Sequence, residues 1–114
     1  MLLSVIIPVF NEEKYIEACI ESVIAQDYPK DSLELLLVDG MSEDATREII
    51  ERYTSDYDWI RMLDNEKRII PAALNIGIVE ARGEYIVRMD AHSEYATDYV
   101  SKCMEVLERT GADN

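Results

Sequence analysis

The chain has 114 residues, 48% of them apolar and 31% charged, with a formal net charge of -13. That is enough apolar material for one domain with a core, spanning residues 1–114, and it excludes wholesale disorder. The acidic residues are spread along the chain and no basic stripe offsets them, which argues against a nucleic-acid partner and would repel a polyanionic ligand unless a cation intervened.

Residues 2–9 form a β-rich run with too little alternation for a half-exposed strand, so it reads as a strand covered on both faces. It lacks the basic start and small-residue cleavage site of a targeting segment. Pro8 predicts that the strand finishes around Ile7. Asn11 is a good helix N-cap, with Glu12 and Glu13 suited to a first turn, and Ile16, Cys19, Ile20, Val23 and Ile24 make one apolar stripe. Residues 33–38 predict a second strand, stopped by Asp39-Gly40. Ser42 is placed to cap a helix whose inner face carries Ala45, Ile49, Ile50 and Tyr53. Residues 59–63 read as a third, weaker strand, followed by a loop over 65–70 with basic residues in it.

Pro71 suits the first turn of a third helix running to about Ala81. Gly77 inside it costs about 1 kcal/mol against Ala, which points to close packing. Asn75 reads as a buried amide in need of partners. Gly83 turns the chain into a fourth strand with Ile86 and Val87 inside and Arg88 as an unexplained charge, in need of a carboxylate or an open edge. A last helix places Val100, Cys103, Met104 and Leu107 on one face, with Gly111 as its stop. Cys19 and Cys103 both read as small buried thiols. No apolar run approaches a membrane span.

The order βαβαβαβα predicts an α/β fold: an open, mostly parallel sheet with helices on both faces and right-handed crossovers. Asn11, Asp39, Arg68 and Asp90 then fall at or beyond the rim where the strands end, which is where open α/β sheets bind ligands. Asp90 and His92, two apart in an extended segment, point to the same side and could share one ion, with Mn²⁺ suited to oxygen and nitrogen donors. The same residues also read as a turn cap and a surface histidine. Asp39 could accept hydrogen bonds from a base or ribose, or form an Asx turn with Gly40. Arg68, or Lys67, could clamp a phosphate, or be ordinary surface charge.

Four segments together resemble the nucleotide-sugar-binding half of family 2 glycosyltransferases, which have the GT-A fold: Ser4-Val5-Ile6-Ile7-Pro8-Val9-Phe10-Asn11-Glu12-Glu13, Leu35-Leu36-Leu37-Val38-Asp39-Gly40, Pro71-Ala72-Ala73-Leu74-Asn75-Ile76-Gly77, and Gly83-Glu84-Tyr85-Ile86-Val87-Arg88-Met89-Asp90-Ala91-His92. The Asp-Ala-His ending is similar to the subset that builds bacterial exopolysaccharides such as succinoglycan. The resemblance implies that Pro8, Val9, Asn11 and Glu12 line a nucleotide pocket, that Asp39 bonds the base, and that Arg68 lies near base or diphosphate. It implies that Asp90 and His92 occupy the Asp-x-Asp position and hold Mn²⁺ or Mg²⁺. His92 departs from the commoner pattern by placing a neutral ligand where an anionic one is usual.

The activity implied by this resemblance is an inverting transfer of sugar from a UDP- or GDP-type donor to a glycan or lipid-linked acceptor, on the cytoplasmic side, in a longer protein at the inner face of the cell membrane. The general base and acceptor site of that family lie further downstream, so no catalytic residue is expected here, and this piece alone is expected to bind donor without transferring it. Two other readings stay open from the residues. One is a non-catalytic receiver- or flavodoxin-like regulatory module, for which Glu12 and Glu13 give some footing. The other is self-association into a homo-oligomer through an unfinished sheet.

Overall fold

The structure is a computed structural model that describes residues 2–110. Nine-residue and longer helices alternate with four strands: β1 (Leu3–Val9), α1 (Ile16–Ile24), β2 (Leu33–Asp39), α2 (Thr46–Asp56), β3 (Ile60–Asp64), α3 (Ile70–Glu80), β4 (Tyr85–Arg88) and α4 (Tyr99–Thr110). The expected stop at Gly111 lies outside the described residues. All strand pairs are parallel and the order is β3-β2-β1-β4. The open, parallel α/β sheet expected from the sequence is therefore the one observed.

β1 and β2 are buried along almost their whole length because helices cover both faces. Leu3, Val5, Ile7 and Val9 pack on one side with Ile16, Ile20, Val23, Ile50, Val100 and Met104. Ile6, Leu36 and Val38 pack on the other with Ala73 of α3. Burying a Leu or Ile side chain contributes about 1.5–3 kcal/mol, so this double layer is what holds the rim in place. Gly77 is small for a stated reason: a Cβ there would sit 2.7 Å from Cγ2 and 2.8 Å from Cδ1 of Ile6.

Several local expectations are corrected. β1 continues through Pro8 to Val9. Ile6 O accepts from Met89 N, and Val9 O accepts from Gly40 N. By the two-residue alternation, Pro8 turns its missing N–H to the β4 side, beyond the last residue that β4 pairs with β1. No ladder bond is lost. The first two helices start four and three residues later than caps at Asn11 and Ser42 would give, at Ile16 and Thr46. Asn75 is exposed, because α3 covers the sheet with only one face. Val87 is buried but Ile86 is only half-buried, since β4 is the edge strand. That edge also answers the question of Arg88, which is exposed there.

Candidate functional site

The strand order reverses between β1 and β4: the chain steps outward from β1 to β2 and β3, then returns to the other side of β1. Such a switch point leaves a crevice at the carboxyl ends of the strands, because the loops leaving the two neighbours turn to opposite faces. A cleft of about 140 Å³ lies at that position, lined by Pro8, Val9, Phe10, Glu12, Asn65, Arg68, Arg88, Asp90 and His92 among others. Of the residues singled out in the sequence, it brings together Pro8, Val9, Glu12, Arg68, Asp90 and His92. It leaves Asn11 and Asp39 off its wall.

Those two have a different place. Asn11 N donates to Ser42 Oγ at 2.8 Å, and Asn11 Oδ1 accepts from Glu43 N at 2.8 Å. Ser42 in turn donates to Asp39, from N to Oδ2 at 2.9 Å and from Oγ to Oδ1 at 2.5 Å. Asp39 is fully buried and also pairs with Arg47, whose Nη1 lies 2.8 Å from Oδ2. Arg47 Nη2 reaches Asp64 at 2.8 Å, so one guanidinium ties the ends of β2 and β3. The two carboxylates raise the Arg47 pKa above its ordinary value, the hydrogen bond that Arg47 donates to Asp39 being the larger cause. Asn11, Ser42 and Asp39 thus form one brace that joins the loops after β1 and β2.

Among the described residues, three that are not glycine hold left-handed backbone: Asn11 at φ 51°, Met41 at φ 62° and Arg68 at φ 64°. Each sits in a different loop, after β1, β2 and β3. Such conformations cost about 1 kcal/mol or more and persist where surrounding contacts over-determine them. Their concentration on one rim marks it as the specialised face of the molecule.

At one end of the cleft, His92 Nε2 lies 3.0 Å from Glu12 Oε1. Burial raises the Glu12 pKa; His92 pulls it down, while Asp44 and Asp90 push it up. The loop after β4 is held by Tyr95, whose hydroxyl accepts from Asp90 N at 2.6 Å. Cys19 Sγ donates to Asp90 O at 3.4 Å, and its thiol is pushed up to about 12 by burial first and by Asp90 and Glu12 next. Cys19 is a structural thiol, as expected. Glu13 turns away to the β2 loop, where its Oε1 accepts from Ala45 N at 3.4 Å. The paired acidic cluster that a receiver-like module would need is therefore not assembled.

Among the described residues no three His, Cys, Asp or Glu side chains converge as a metal cage. Asp90 and His92 are both exposed on the cleft wall. One carboxylate and one imidazole fit an ion that takes its remaining ligands from phosphate oxygens and water, not one caged by protein.

The other end carries Arg68, whose guanidinium lies 5.1 Å from the Phe10 ring centroid and makes long contacts of 3.3 Å to Met41 O and 3.4 Å to Glu43. Beside it is a residue to which the sequence pattern gave no role. Asn65 is 2% exposed, its N donates to Asp39 O at 2.8 Å, and its Nδ2 donates to Ile69 O at 3.0 Å. Its Oδ1 has no partner among the described residues. A buried carbonyl oxygen left unpaired costs about 1–3 kcal/mol, and this one belongs to a residue that lines the cleft.

The sequence pattern described as "Glycosyl transferase family 2" matches residues 4–114. Among curated proteins, the chain is 38% identical over 109 residues to a dolichyl N-acetyl-α-D-glucosaminyl phosphate 3-β-D-2,3-diacetamido-2,3-dideoxy-β-D-glucuronosyltransferase of Methanococcus voltae, covering 94% of this chain and 34% of that protein. It is 38% identical over 112 residues to the succinoglycan biosynthesis protein ExoA of Rhizobium meliloti, covering 96% and 34%. The chain thus spans about a third of the length of these relatives, which come from archaea as well as bacteria. Among solved structures, Staphylococcus aureus TarS in complex with UDP-GlcNAc superposes with a TM-score of 0.81 at 27% identity, covering 96% of this chain and 32% of that one. The mannosyltransferase PcManGT from Pyrobaculum calidifontis, in complex with GDP-Man and Mn²⁺, gives 0.86 at 30% identity, covering 92% and 32%.

Proposed function

The chain belongs to glycosyl transferase family 2 and has the GT-A type of fold, and from that premise we propose that it binds the nucleotide-diphosphate sugar for a transferase acting on a glycan or lipid-linked acceptor. The observation that carries this reading is the cleft at the sheet's switch point, with Asp90 and His92 at one end and Arg68 at the other. Pro8 and Val9 form its floor. Arg68 pairs with the diphosphate or stacks on the base. Asn65 Oδ1 takes an N–H of the base. Asn11 and Asp39 act on the nucleotide through the loops they brace, and Glu12 orients His92.

Asp90 and His92 would hold a divalent ion, Mn²⁺ or Mg²⁺, whose chemistry there would be charge neutralisation of a diphosphate. The donor is of UDP or GDP type, in line with the UDP-GlcNAc complex of TarS and the GDP-Man and Mn²⁺ complex of PcManGT. A cleft of 140 Å³ is smaller than the roughly 300–1,000 Å³ of ordinary ligand pockets, so it forms one wall of the donor site. The acceptor and its general base belong to the part of the longer relatives that this chain does not match. Inverting transfer in exopolysaccharide or cell-envelope glycan synthesis, at the cytoplasmic face of a membrane, is the setting that fits these relatives.

Calorimetric titration of UDP and GDP, with and without Mn²⁺, tests the reading. Mn²⁺ should tighten binding of one of them, and Asp90→Ala and His92→Ala should each remove about tenfold or more of that gain. Undiminished Mn²⁺ dependence in both variants would refute the ligand pair, and no binding of either nucleotide would refute the donor site.

A further inference from the structure

We infer that Thr46 and Glu12 form a bonded relay that presents His92 to a divalent ion through Nδ1, which makes both of them positioning residues of the donor site. The inference rests on the sugar-donor reading above. It names the ligand atom and adds Thr46, a residue to which the sequence pattern gave no role.

Within the pair, His92 is the open member and Glu12 the anchored one. The side chain of His92 is 61% exposed and that of Glu12 13%. An imidazole this open samples several rotamers, and that freedom is lost when the ring takes a ligand. Two contacts restrict it beforehand. Glu12 Oε1 lies 3.0 Å from His92 Nε2, and the Tyr15 ring packs on the imidazole with centroids 5.2 Å apart.

Glu12 is fixed through both of its main-chain groups. Its C=O accepts from Tyr15 N at 2.9 Å and from Ile16 N at 2.8 Å, where α1 begins. Its N–H donates to Thr46 Oγ1 at 2.8 Å. The Thr46 hydroxyl donates in turn to Asp44 Oδ1 at 2.5 Å, so its hydrogen is committed and a lone pair is left for Glu12 N. Thr46 is fully buried at the start of α2. The relay therefore runs from the loop after β2, through the loop after β1, to the loop after β4.

The chemistry of the pair decides which ring nitrogen is free. A neutral imidazole has one N–H and one lone pair, and an ionised carboxylate can only accept. Facing Glu12, Nε2 carries the hydrogen and Nδ1 the lone pair. A metal ion takes the lone pair, so Nδ1 is the ligand atom, and the carboxylate behind the ring raises its basicity. Glu12 thus acts by way of the imidazole.

Two measurements test this. The chain has one histidine, so its ring nitrogens are assigned directly by nitrogen NMR. With UDP and Zn²⁺, a diamagnetic ion suited to imidazole, at about pH 7.5, where an ordinary imidazole is neutral, Nδ1 should show the metal-bound shift and Nε2 should keep its proton. Metal on Nε2 overturns the inference. The second measurement is Mn²⁺ affinity in the presence of UDP, by calorimetry. Glu12→Ala should weaken it about tenfold or more, and Thr46→Val, which keeps the shape but drops both hydroxyl bonds, about threefold or more. Glu12→Gln keeps an acceptor oxygen and should stay within about threefold of wild type. In a His92→Ala background neither Glu12→Ala nor Thr46→Val should cost anything further, because each acts through the ring. A loss that persists in that background marks a merely structural role and overturns the relay. So does a loss in Glu12→Gln as large as in Glu12→Ala, which would place the effect on charge alone. If Thr46→Val does not fold, the Glu12 variants decide. Mn²⁺ binding that needs Asp90 and His92 but not Glu12 refutes the relay alone, whereas UDP binding indifferent to Mn²⁺ refutes the metal reading and the relay with it.

Discussion

Asp39→Asn separates a bracing role from a ligand-binding one. The carboxylate is fully buried and accepts from Ser42 N at 2.9 Å, from Ser42 Oγ at 2.5 Å and from Arg47 Nη1 at 2.8 Å. Asn keeps the shape, and its oxygen can stay where Oδ2 accepts from Ser42 N and Arg47 Nη1, but its NH₂ cannot accept from Ser42 Oγ where Oδ1 did. Arg47 is not orphaned, since Asp64 still lies 2.8 Å from Nη2. The change therefore costs less than the 3–5 kcal/mol of a fully broken buried pair. Losing one charge-assisted bond and weakening another gives about 2–3 kcal/mol. With a urea slope of about 1.5 kcal/mol/M, the midpoint should fall by about 1.3–2 M. Nucleotide affinity should fall only with the disordering of the rim, and Arg47→Gln should reproduce both effects. A variant with an unchanged midpoint but about tenfold weaker UDP binding would refute the brace and make Asp39 a direct base contact.

Gly77→Ala places a Cβ 2.7–2.8 Å from two carbons of fully buried Ile6. Overpacking of about 1–3 kcal/mol should outweigh the roughly 1 kcal/mol gained in helix propensity, so urea denaturation should show a net loss that Ile6→Val partly recovers. A variant more stable than wild type would overturn the packing argument. Asp44 is pushed up by burial, but bonds from Thr46 and Glu13 outweigh this and hold its carboxyl below the ordinary 3.8. A depressed folded-state value contributes stability that is present above pH 3.8 and is lost as pH falls through the lower folded value. The stability gap between wild type and Asp44→Asn, followed by urea midpoints against pH, should therefore be widest above the ordinary value and close in acid. A gap independent of pH would rule this out.

The first two strands were legible because long apolar runs without alternation read as buried on both faces, and the parallel sheet followed from the alternation of strands and helices along the chain. That Pro8, Val9, Glu12, Arg68, Asp90 and His92 share one rim was legible because parallel strands send their carboxyl ends there. The helix starts were not. Asn11 and Ser42 have the side chains of helix caps, and local reading assigns each to its own helix. In the fold they satisfy one another across 31 residues of sequence, Asn11 N bonding Ser42 Oγ. Polar side chains that can bond backbone in several ways cannot be placed without the partner loop. Asn65 was missed for a related reason. Asp64-Asn65-Glu66-Lys67 reads as a solvated turn, and only the bond to Asp39 O and the approach of Ile69 bury one amide within it. Asn75 was misjudged in the opposite sense, because an apolar helix that covers an open sheet keeps one face in water.

The charge arrangement explains why an acidic chain would be expected to bind a polyanion at all. Glu12, 13% exposed, faces His92, and Asp90 is close enough to raise its pKa. Two carboxylates at one end of a small cleft repel a diphosphate as strongly as they attract a divalent ion. Arg68 and Arg88 lie along the same wall, but Arg68 is 45% exposed and its electrostatic reach is screened accordingly. The arginines can orient a phosphate without overcoming a net charge of -13. On the proposed reading, a cation shared between Asp90, His92 and the diphosphate would change the sign of the local field, and the acidic end would become the attractive one. On this reasoning metal dependence is not an accessory of the site. It would follow from the position of Glu12 and Asp90 on the cleft proposed to take the diphosphate.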